Sequence, residues 1–142
     1  MEKAIEQARI AARKKEVPIG CVIVHDGDIV GAGYNLRNTK GNALAHAEII
    51  AINEACNHLG DWRLEGCTIY VTAEPCPMCA GAILQSRIPR LVYGCKSPKA
   101  GAAGSLVNLL ENPQFNHMVE ITSGILEADC AKLLTDFFAG LR

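Results

Sequence analysis

The stretch CTIYVTAEPCPMCAGAILQS, residues 67–86, places a strand, a cysteine-containing turn and a helix in immediate succession. Residues 67–73 are predicted to form the strand. Pro77 suits the first position of a helix, so we expect a helix over residues 77–86. Cys76 then precedes this helix, and Cys79 falls in its first turn. Because positions three residues apart share one helix face, both thiols can point at the same ion.

The rest of the chain alternates between strand-like and helix-like segments. Strands over 19–24 and 29–34 are expected to form a hairpin through a tight turn at residues 26–28. The other predicted elements are helices over 2–15, 47–57, 106–110 and 127–138, strands over 90–93 and 119–122, and loops over 36–44 and 97–104. A hairpin followed by alternating strands and helices predicts a central mixed five-stranded sheet with helices on both faces, a three-layer α/β/α fold. At 142 residues the chain is most simply one domain, residues 1–142.

The composition is that of an ordinary globular protein, with 49% hydrophobic and 20% charged residues. The formal net charge of −1 makes no case for nucleic acid, and it does not exclude a local basic patch. Seven cysteines, an odd number, occur without a signal peptide and without an apolar run of the roughly 20 residues that span a bilayer. We therefore expect a cytoplasmic protein with free thiols and no membrane association.

A second informative segment is His46-Ala47-Glu48, where the helix over residues 47–57 is predicted to begin. His46, Cys76 and Cys79 are good zinc ligands, and three protein ligands leave one open position on a tetrahedral ion, as in catalytic zinc sites. Residues two apart point to nearly opposite sides of a regular helix. His46 and Glu48 can therefore both face the ion only if His46 lies at the helix entrance, and we predict that placement.

The pattern His-x-Glu followed by Pro-Cys-x-x-Cys is typical of zinc-dependent nucleobase deaminases. An open zinc position lowers the pKa of a bound water towards neutrality. Glu48, which the ligand count does not need, is then the candidate group that moves a proton from water to a ring nitrogen and to a leaving amine. Glu74 is a nearby second carboxylate, for which we expect a supporting role at most.

Other interpretations of the metal motif stay open at this point. A closed structural zinc site needs a fourth ligand. The residues that could supply it are Cys56, Cys67, Cys95, His25, His58 and His117. A redox role for Cys76 and Cys79 is the other alternative, but it leaves the upstream His-x-Glu unexplained.

Several further residues have a simple structural interpretation beside a functional one. His117 is expected to be a hydrogen-bonded or substrate-contacting group, because it lacks ligand spacing. Gly101-Ala102-Ala103-Gly104 matches no phosphate-binding motif and is expected to be a close-packed turn. Phe137 and Phe138 are by default core residues of the last helix, and one of them could instead touch substrate.

Segments outside the metal motif closely resemble one family. They are Ala45-His46-Ala47-Glu48-Ile49, residues 74–82, residues 99–106, Asn116-His117 and Asp136-Phe137-Phe138. Over residues 16–138 the chain is similar to bacterial tRNA-specific adenosine deaminases, within the cytidine deaminase-like superfamily. The zinc motif indicates the superfamily, whereas the other segments indicate the tRNA branch. The resemblance implies a cytidine deaminase-like fold and the hydrolytic conversion of adenosine to inosine at the wobble position of a tRNA anticodon.

The resemblance also implies a homodimer with one catalytic zinc ion per subunit. Asn35 matches a position that contacts the target base. Lys99, Asn116 and one of the two phenylalanines, for which we take Phe138, match positions near the anticodon loop. Two other functions stay open: a deaminase of free bases or nucleosides (guanine, cytosine or cytidine), and a non-catalytic, zinc-stabilised RNA-binding module.

Overall fold

The protein is described by a computed structural model over residues 1–141, so Arg142, at the end of the predicted domain, lies outside the described residues. The helices are α1 (Glu2–Arg13), α2 (Arg37–Lys40), α3 (Ala47–Leu59), α4 (Pro77–Gln85) and α5 (Glu127–Ala139). The strands are β1 (Gly20–His25), β2 (Asp28–Tyr34), β3 (Cys67–Ala73), β4 (Arg90–Cys95) and β5 (Glu120–Thr122). The predicted strand over residues 67–73 coincides with β3, and the predicted starts of α3, α4 and α5 are confirmed.

Within residues 1–141, the five strands form one mixed sheet in the order β2-β1-β3-β4-β5. Strand β1 pairs antiparallel with both β2 and β3, whereas the β3–β4 and β4–β5 pairs are parallel. Helices α1 and α5 pack together on one face of the sheet, and α3 and α4 cover the other. The predicted three-layer α/β/α fold with a mixed five-stranded sheet is confirmed.

Two glycines of β2 allow α3 to lie close to the sheet. A Cβ atom on Gly31 would overlap the carbonyl oxygen of Ala51, and one on Gly33 would lie 2.5 Å from the carbonyl oxygen of Ala47. Glycine in a strand interior often marks such a close backbone approach. Ala47 is the first residue of α3, so the contact at Gly33 places the beginning of this helix, and with it His46, against the sheet.

The predicted hairpin turn at residues 26–28 is present. Asp26 and Gly27 have φ angles of 50° and 81°, the left-handed conformation that two-residue hairpin turns favour. Helix α1 ends at Arg13, two residues earlier than expected, and Lys15 has a φ angle of 61° that a continuing helix does not allow.

Two of the predicted elements are wrong. The loop expected over residues 36–44 contains the short helix α2, where the Glu16 carboxylate accepts hydrogen bonds from the N–H groups of Asn38 and Thr39 at 3.2 and 2.6 Å. The helix expected over residues 106–110 does not form. Instead, Asn108 Oδ1 accepts hydrogen bonds from the N–H groups of the second and third residues after it, at 3.1 Å each. Such local side-chain hydrogen bonds compete with helix formation.

In the described part of the chain, no helix combines the length and apolar character that a membrane crossing requires.

Candidate metal centre and pocket

Two helix N-termini converge on the predicted metal site. His46 is the residue immediately before α3, and its φ and ψ of −81° and 152° are extended, not helical. Cys76 occupies the same position before α4, with φ and ψ of −73° and 173°, and Cys79 lies in the first turn of that helix. The predicted placement of His46 at the helix entrance is therefore confirmed, which removes the conflict between the directions of His46 and Glu48.

The three predicted ligands come together in space. His46 Nδ1 lies 3.6 Å from Cys76 Sγ and 3.5 Å from Cys79 Sγ, and the three ligand atoms all lie within 4.8 Å of one another. Among residues 1–141, no further His, Cys, Asp or Glu joins this group, so the candidates for a fourth ligand lie elsewhere. One imidazole and two thiols form a donor set that suits zinc, and three ligands leave a position open.

The two thiols differ in their acidity. The pKa of Cys76 is lowered to about 5, and the largest cause is a hydrogen bond from the Cys79 thiol. Burial acts in the opposite direction but is outweighed. The N–H groups of Cys79 and Met78, in the first turn of α4, also lower this pKa. The same hydrogen bond, together with burial, raises the pKa of the Cys79 thiol. The pair therefore holds one thiolate and one proton, and an ion that binds both sulfurs displaces that proton.

Glu48 is buried in the first turn of α3, with 4% of its surface exposed. Burial is the largest cause that raises the pKa of this carboxyl to about 7, and the negative charge of Cys76 acts in the same direction. Its own backbone N–H and the charge of His46 act in the opposite direction. A carboxyl with a pKa near neutrality can both accept and donate a proton under physiological conditions.

A small pocket of about 110 Å³ opens beside Glu48 and His46. Its lining residues are Val17, Ile19, Asn35, Arg37, His46, Ala47 and Glu48. Asn35 is held in this wall, because its Nδ2 donates to the carbonyl oxygen of Val17 at 3.4 Å and its Oδ1 accepts from the N–H of Arg37 at 3.0 Å. The structure thus brings Asn35 together with the candidate metal site and Glu48.

Arg37 is a pocket residue that the sequence analysis missed. It is exposed and begins α2, the helix that the sequence did not predict. Arg37 follows Asn35 by two residues, which is only a weak indication that both line one pocket. The hydrogen bond from the Arg37 N–H to Asn35 Oδ1 makes their proximity clear only in the structure.

The other predicted substrate contacts lie outside this pocket. Lys99 and Asn116 are exposed on segments that follow β4, and Phe138 is 47% exposed near the end of α5. Phe138 meets the ring of Phe137 edge to face at 5.3 Å. Because Phe138 is about half exposed, its default interpretation as a core residue is wrong, and its contact with substrate stays a prediction. His117 Nε2 lies 2.9 Å from the carbonyl oxygen of Ile88, which confirms that it is hydrogen-bonded.

Glu74, at the end of β3, has a larger structural role than expected. Its buried carboxylate accepts hydrogen bonds from Ser97, Ala103 and Ser105. Burial acts to raise the pKa of Glu74, but the hydrogen bonds outweigh it and lower the pKa below its usual value. The carboxylate is therefore charged at neutral pH. It holds the segment after β4, which also donates a hydrogen bond from Ala102 to the carbonyl oxygen of Pro75, the residue before Cys76.

The fold and the ligand group are those of a deaminase. A profile of the MafB19-like deaminase family matches residues 1–142, and the chain belongs to this family. A solved structure from a study of A-to-I editing by tRNA deaminases at the wobble position of transfer RNA superposes with a TM-score of 0.90 and 44% identity, over 94% of this chain and 97% of that one. A guanine deaminase from Nitrosomonas europaea superposes with a TM-score of 0.83 and 25% identity, over 97% of this chain and 82% of that one.

Curated relatives narrow the assignment. The tRNA-specific adenosine deaminase of Bacillus subtilis (strain 168) is 51% identical over 142 residues, which cover all of this chain and 88% of the relative. The tRNA-specific adenosine deaminase of Haemophilus influenzae is 45% identical over 143 aligned residues, covering 100% of this chain and 83% of the relative. Within the MafB19-like deaminases, the chain is a member of the tRNA-specific adenosine deaminase family, in agreement with the resemblance seen in its sequence.

Proposed function

We propose that this chain hydrolyses adenosine to inosine and ammonia at the wobble position of a tRNA anticodon. The observation that carries the proposal is that the ligand group of His46, Cys76 and Cys79 lies next to a small pocket, whose wall contains both His46 and Glu48. This occurs in a chain that is 51% identical, over its whole length, to a tRNA-specific adenosine deaminase. We also propose that residues 1–142 act as one catalytic domain in the cytoplasm, where its tRNA substrate is found.

His46, Cys76 and Cys79 are proposed to hold one zinc ion per subunit. The fit rests on the donor set itself, one imidazole nitrogen and two sulfurs within 4.8 Å of one another, with one sulfur already ionised at neutral pH. When bound, zinc polarises a water molecule and so supplies the nucleophile for hydrolysis near neutral pH.

Glu48 is proposed as the proton shuttle. Its carboxylate takes one proton from the attacking water and delivers it to a ring nitrogen of the base. It then takes the second proton from the hydroxyl that the water has left on the base and delivers it to the leaving amine. Both steps need a carboxyl that changes protonation easily, and the pKa of about 7 that burial produces at Glu48 meets this need. The reaction consumes one water and releases ammonia, so protons are conserved.

Asn35 is proposed to orient the base. Its two hydrogen bonds to the backbone fix the amide in the pocket wall, where it can read the edge of an inserted base. The target nucleotide has to leave the stack of the anticodon loop to enter a pocket of this kind. Arg37, at the same wall, adds a cation that suits the backbone of that nucleotide.

The remaining contacts are proposed for a larger RNA surface. Lys99, Asn116 and Phe138 are exposed, as residues that touch an anticodon loop outside the catalytic pocket must be. A homodimer is proposed as the active assembly, and the resemblance to tRNA-specific adenosine deaminases is what supports it.

The test is an inosine assay with zinc-loaded protein. The substrates are a tRNA with adenosine at the wobble position, its anticodon stem-loop, the same stem-loop with guanosine there, and free adenosine, guanine and cytidine. We expect inosine in the first two alone, and a loss of about 10²–10⁴-fold in kcat for Glu48→Gln. Turnover of a free base or nucleoside at comparable rates would favour the alternative deaminase. If no inosine forms while an established tRNA deaminase works in the same buffer, the proposal fails.

A further inference from the structure

The residues that follow β4 fold around one buried side chain. We call residues 97–105 the 97–105 loop. Its N–H groups at Ser97, Ala103 and Ser105 donate to the Glu74 carboxylate at 3.2, 3.0 and 3.0 Å, and the Ser105 hydroxyl donates to the same carboxylate. A carboxylate has about four acceptor sites, so this one loop occupies all of them.

The main chain reinforces this attachment. Ala102 donates its N–H to the carbonyl oxygen of Pro75 at 2.8 Å, and the Ser97 hydroxyl donates to the carbonyl oxygen of Glu74 at 3.2 Å. A Cβ atom on Gly101 would overlap the Glu74 carboxylate, so the loop backbone lies directly on this group. The expected close-packed turn is therefore confirmed, and its packing partner is Glu74.

The attachment connects two parts of the proposed active site. Glu74 precedes the candidate ligand Cys76 by two residues, whereas the exposed Lys99 lies between the attached points at Ser97 and Ala103. The backbone segment that carries Lys99 is thus attached on both sides to Glu74. A loop whose two sides are both hydrogen-bonded loses little further conformational freedom when a ligand binds.

We propose that Glu74 is a positioning residue that holds the 97–105 loop, and with it Lys99, at the distance from the metal site where Lys99 meets a phosphate of the bound RNA. Glu74 acts through the loop and does not touch the reacting atoms. The inference rests on the proposed function, since it requires an RNA substrate whose target base enters the pocket.

The decisive variant is Glu74→Gln, which keeps the size of the side chain. It replaces one acceptor oxygen by an NH₂ group, which then faces the N–H donors of the loop. Ser105→Ala is a milder variant, because it removes only the hydroxyl donor. Lys99→Ala and the double variant Glu74→Gln/Lys99→Ala complete a double-mutant cycle.

The measurements are kcat and KM on the anticodon stem-loop, zinc per chain, and hydrogen exchange of the loop amides. We expect Glu74→Gln to keep its zinc and its kcat within about threefold while KM rises about tenfold, as expected for lost charge-assisted hydrogen bonds. Exchange of the amides of residues 97–105 should accelerate. In the double variant KM should rise no further than in Glu74→Gln alone, because a released Lys99 has little left to lose.

Three results would overturn the inference. The first is a double variant in which the fold increase in KM equals the two single-variant increases multiplied together, which would show that Glu74 and Lys99 act independently. The second is an unchanged KM in Lys99→Ala. The third is a loss of zinc and kcat in Glu74→Gln without faster loop exchange, which would make Glu74 a support of the metal site alone. If Glu74→Gln does not fold, Ser105→Ala must show the same pattern at smaller amplitude. A failure of the proposed function is distinguishable, because the wild-type chain would then make no inosine although loop exchange still responds to Glu74→Gln.

Discussion

His46 Nδ1 lies 3.5 Å from Cys79 Sγ, although the two residues are 33 positions apart in the chain. The contact exists because α3 and α4 begin at the same place, and each presents a ligand at or before its first turn. Unpaired N–H groups at helix N-termini favour thiolates and other anions. The geometry therefore brings ligands together and also prepares one of them to bind a cation.

Loss of a sulfur ligand should release the metal. We expect Cys76→Ala and Cys79→Ala each to bind far less than one zinc ion per chain and to melt at a lower temperature, because metal binding is coupled to folding. Zinc content by mass spectrometry and thermal unfolding by circular dichroism measure both effects. Cys56→Ala is the matched control, because Cys56 lies outside the ligand group. Full zinc content in Cys79→Ala would remove this residue from the site.

Loss of the buried carboxylate should separate catalysis from metal binding. We expect Glu48→Gln to keep about one zinc ion per chain and to lose about 10²–10⁴-fold in kcat, the usual contribution of a general acid–base group. Inosine formation and zinc content are measured on the same samples. Glu54→Gln, an exposed position on the same helix, should leave both unchanged. If Glu48→Gln makes inosine at the wild-type rate, Glu48 is not the proton shuttle.

Local sequence signals account for much of the fold and for the ligand group. Pro77 marks the start of α4, the turn at Gly27 marks the hairpin, and the run over residues 67–73 marks β3. These signals act within a few residues. The position of His46 before α3 is predicted in another way. His46 and Glu48 can both face one ion only if His46 lies at the entrance of the helix.

The predictions from sequence are wrong where contacts between residues far apart in the chain determine the local structure. Helix α2 depends on the Glu16 carboxylate, which lies 22 and 23 positions before the amides it accepts from. For this reason the sequence did not predict that Arg37, the first residue of α2, lines the pocket. Phe138 belongs to an amphipathic pattern, but the sequence does not show that its side chain stays exposed at the end of α5. The roles of Lys99 and Asn116 stay predictions.

Glu16 offers a test of the hydrogen bonds that hold α2. Burial acts to raise the pKa of this carboxyl, but hydrogen bonds from Thr39 and Asn38 outweigh it and lower the pKa below its usual value. The stabilising effect is then fully present above the usual carboxyl pKa and is lost as the pH falls through the lower, folded value. We expect Glu16→Gln to reduce the free energy of unfolding by about 1–3 kcal/mol at pH 7 and by progressively less below about pH 4.

Urea unfolding of both proteins across this pH range measures the difference. Glu65→Gln is the control, since Glu65 is exposed, and we expect it to change the free energy of unfolding little at pH 7. A Glu16→Gln effect of constant size from pH 7 to pH 3 would show that the charged form of Glu16 is not what holds α2.

Arg37 should contribute charge to RNA binding. We expect Arg37→Ala to raise KM for the anticodon stem-loop about five- to tenfold and to reduce the salt dependence of binding by about one ion. Lys40→Ala removes a cation from the same short helix but outside the catalytic pocket, and it should have the smaller effect. Binding titrations at several salt concentrations decide between them. Equal effects of the two variants would reduce Arg37 to a general surface charge.

Gly33 connects the sheet to the metal site. A Cβ atom there would lie 2.5 Å from the carbonyl oxygen of Ala47, so Gly33→Ala must push the start of α3, and His46 with it, away from the sheet. We expect a loss of about 1–3 kcal/mol in the free energy of unfolding, as for other overpacked positions, together with weaker zinc retention against a chelator. Gly81→Ala is the control, because a Cβ on this α4 residue meets no described atom within 4 Å beyond its chain neighbours and the adjacent backbone of its own helix, and alanine favours a helix. Zinc retention equal to that of the wild type in a destabilised Gly33→Ala would mean that His46 is positioned by the metal ion and not by the packing of α3 on β2.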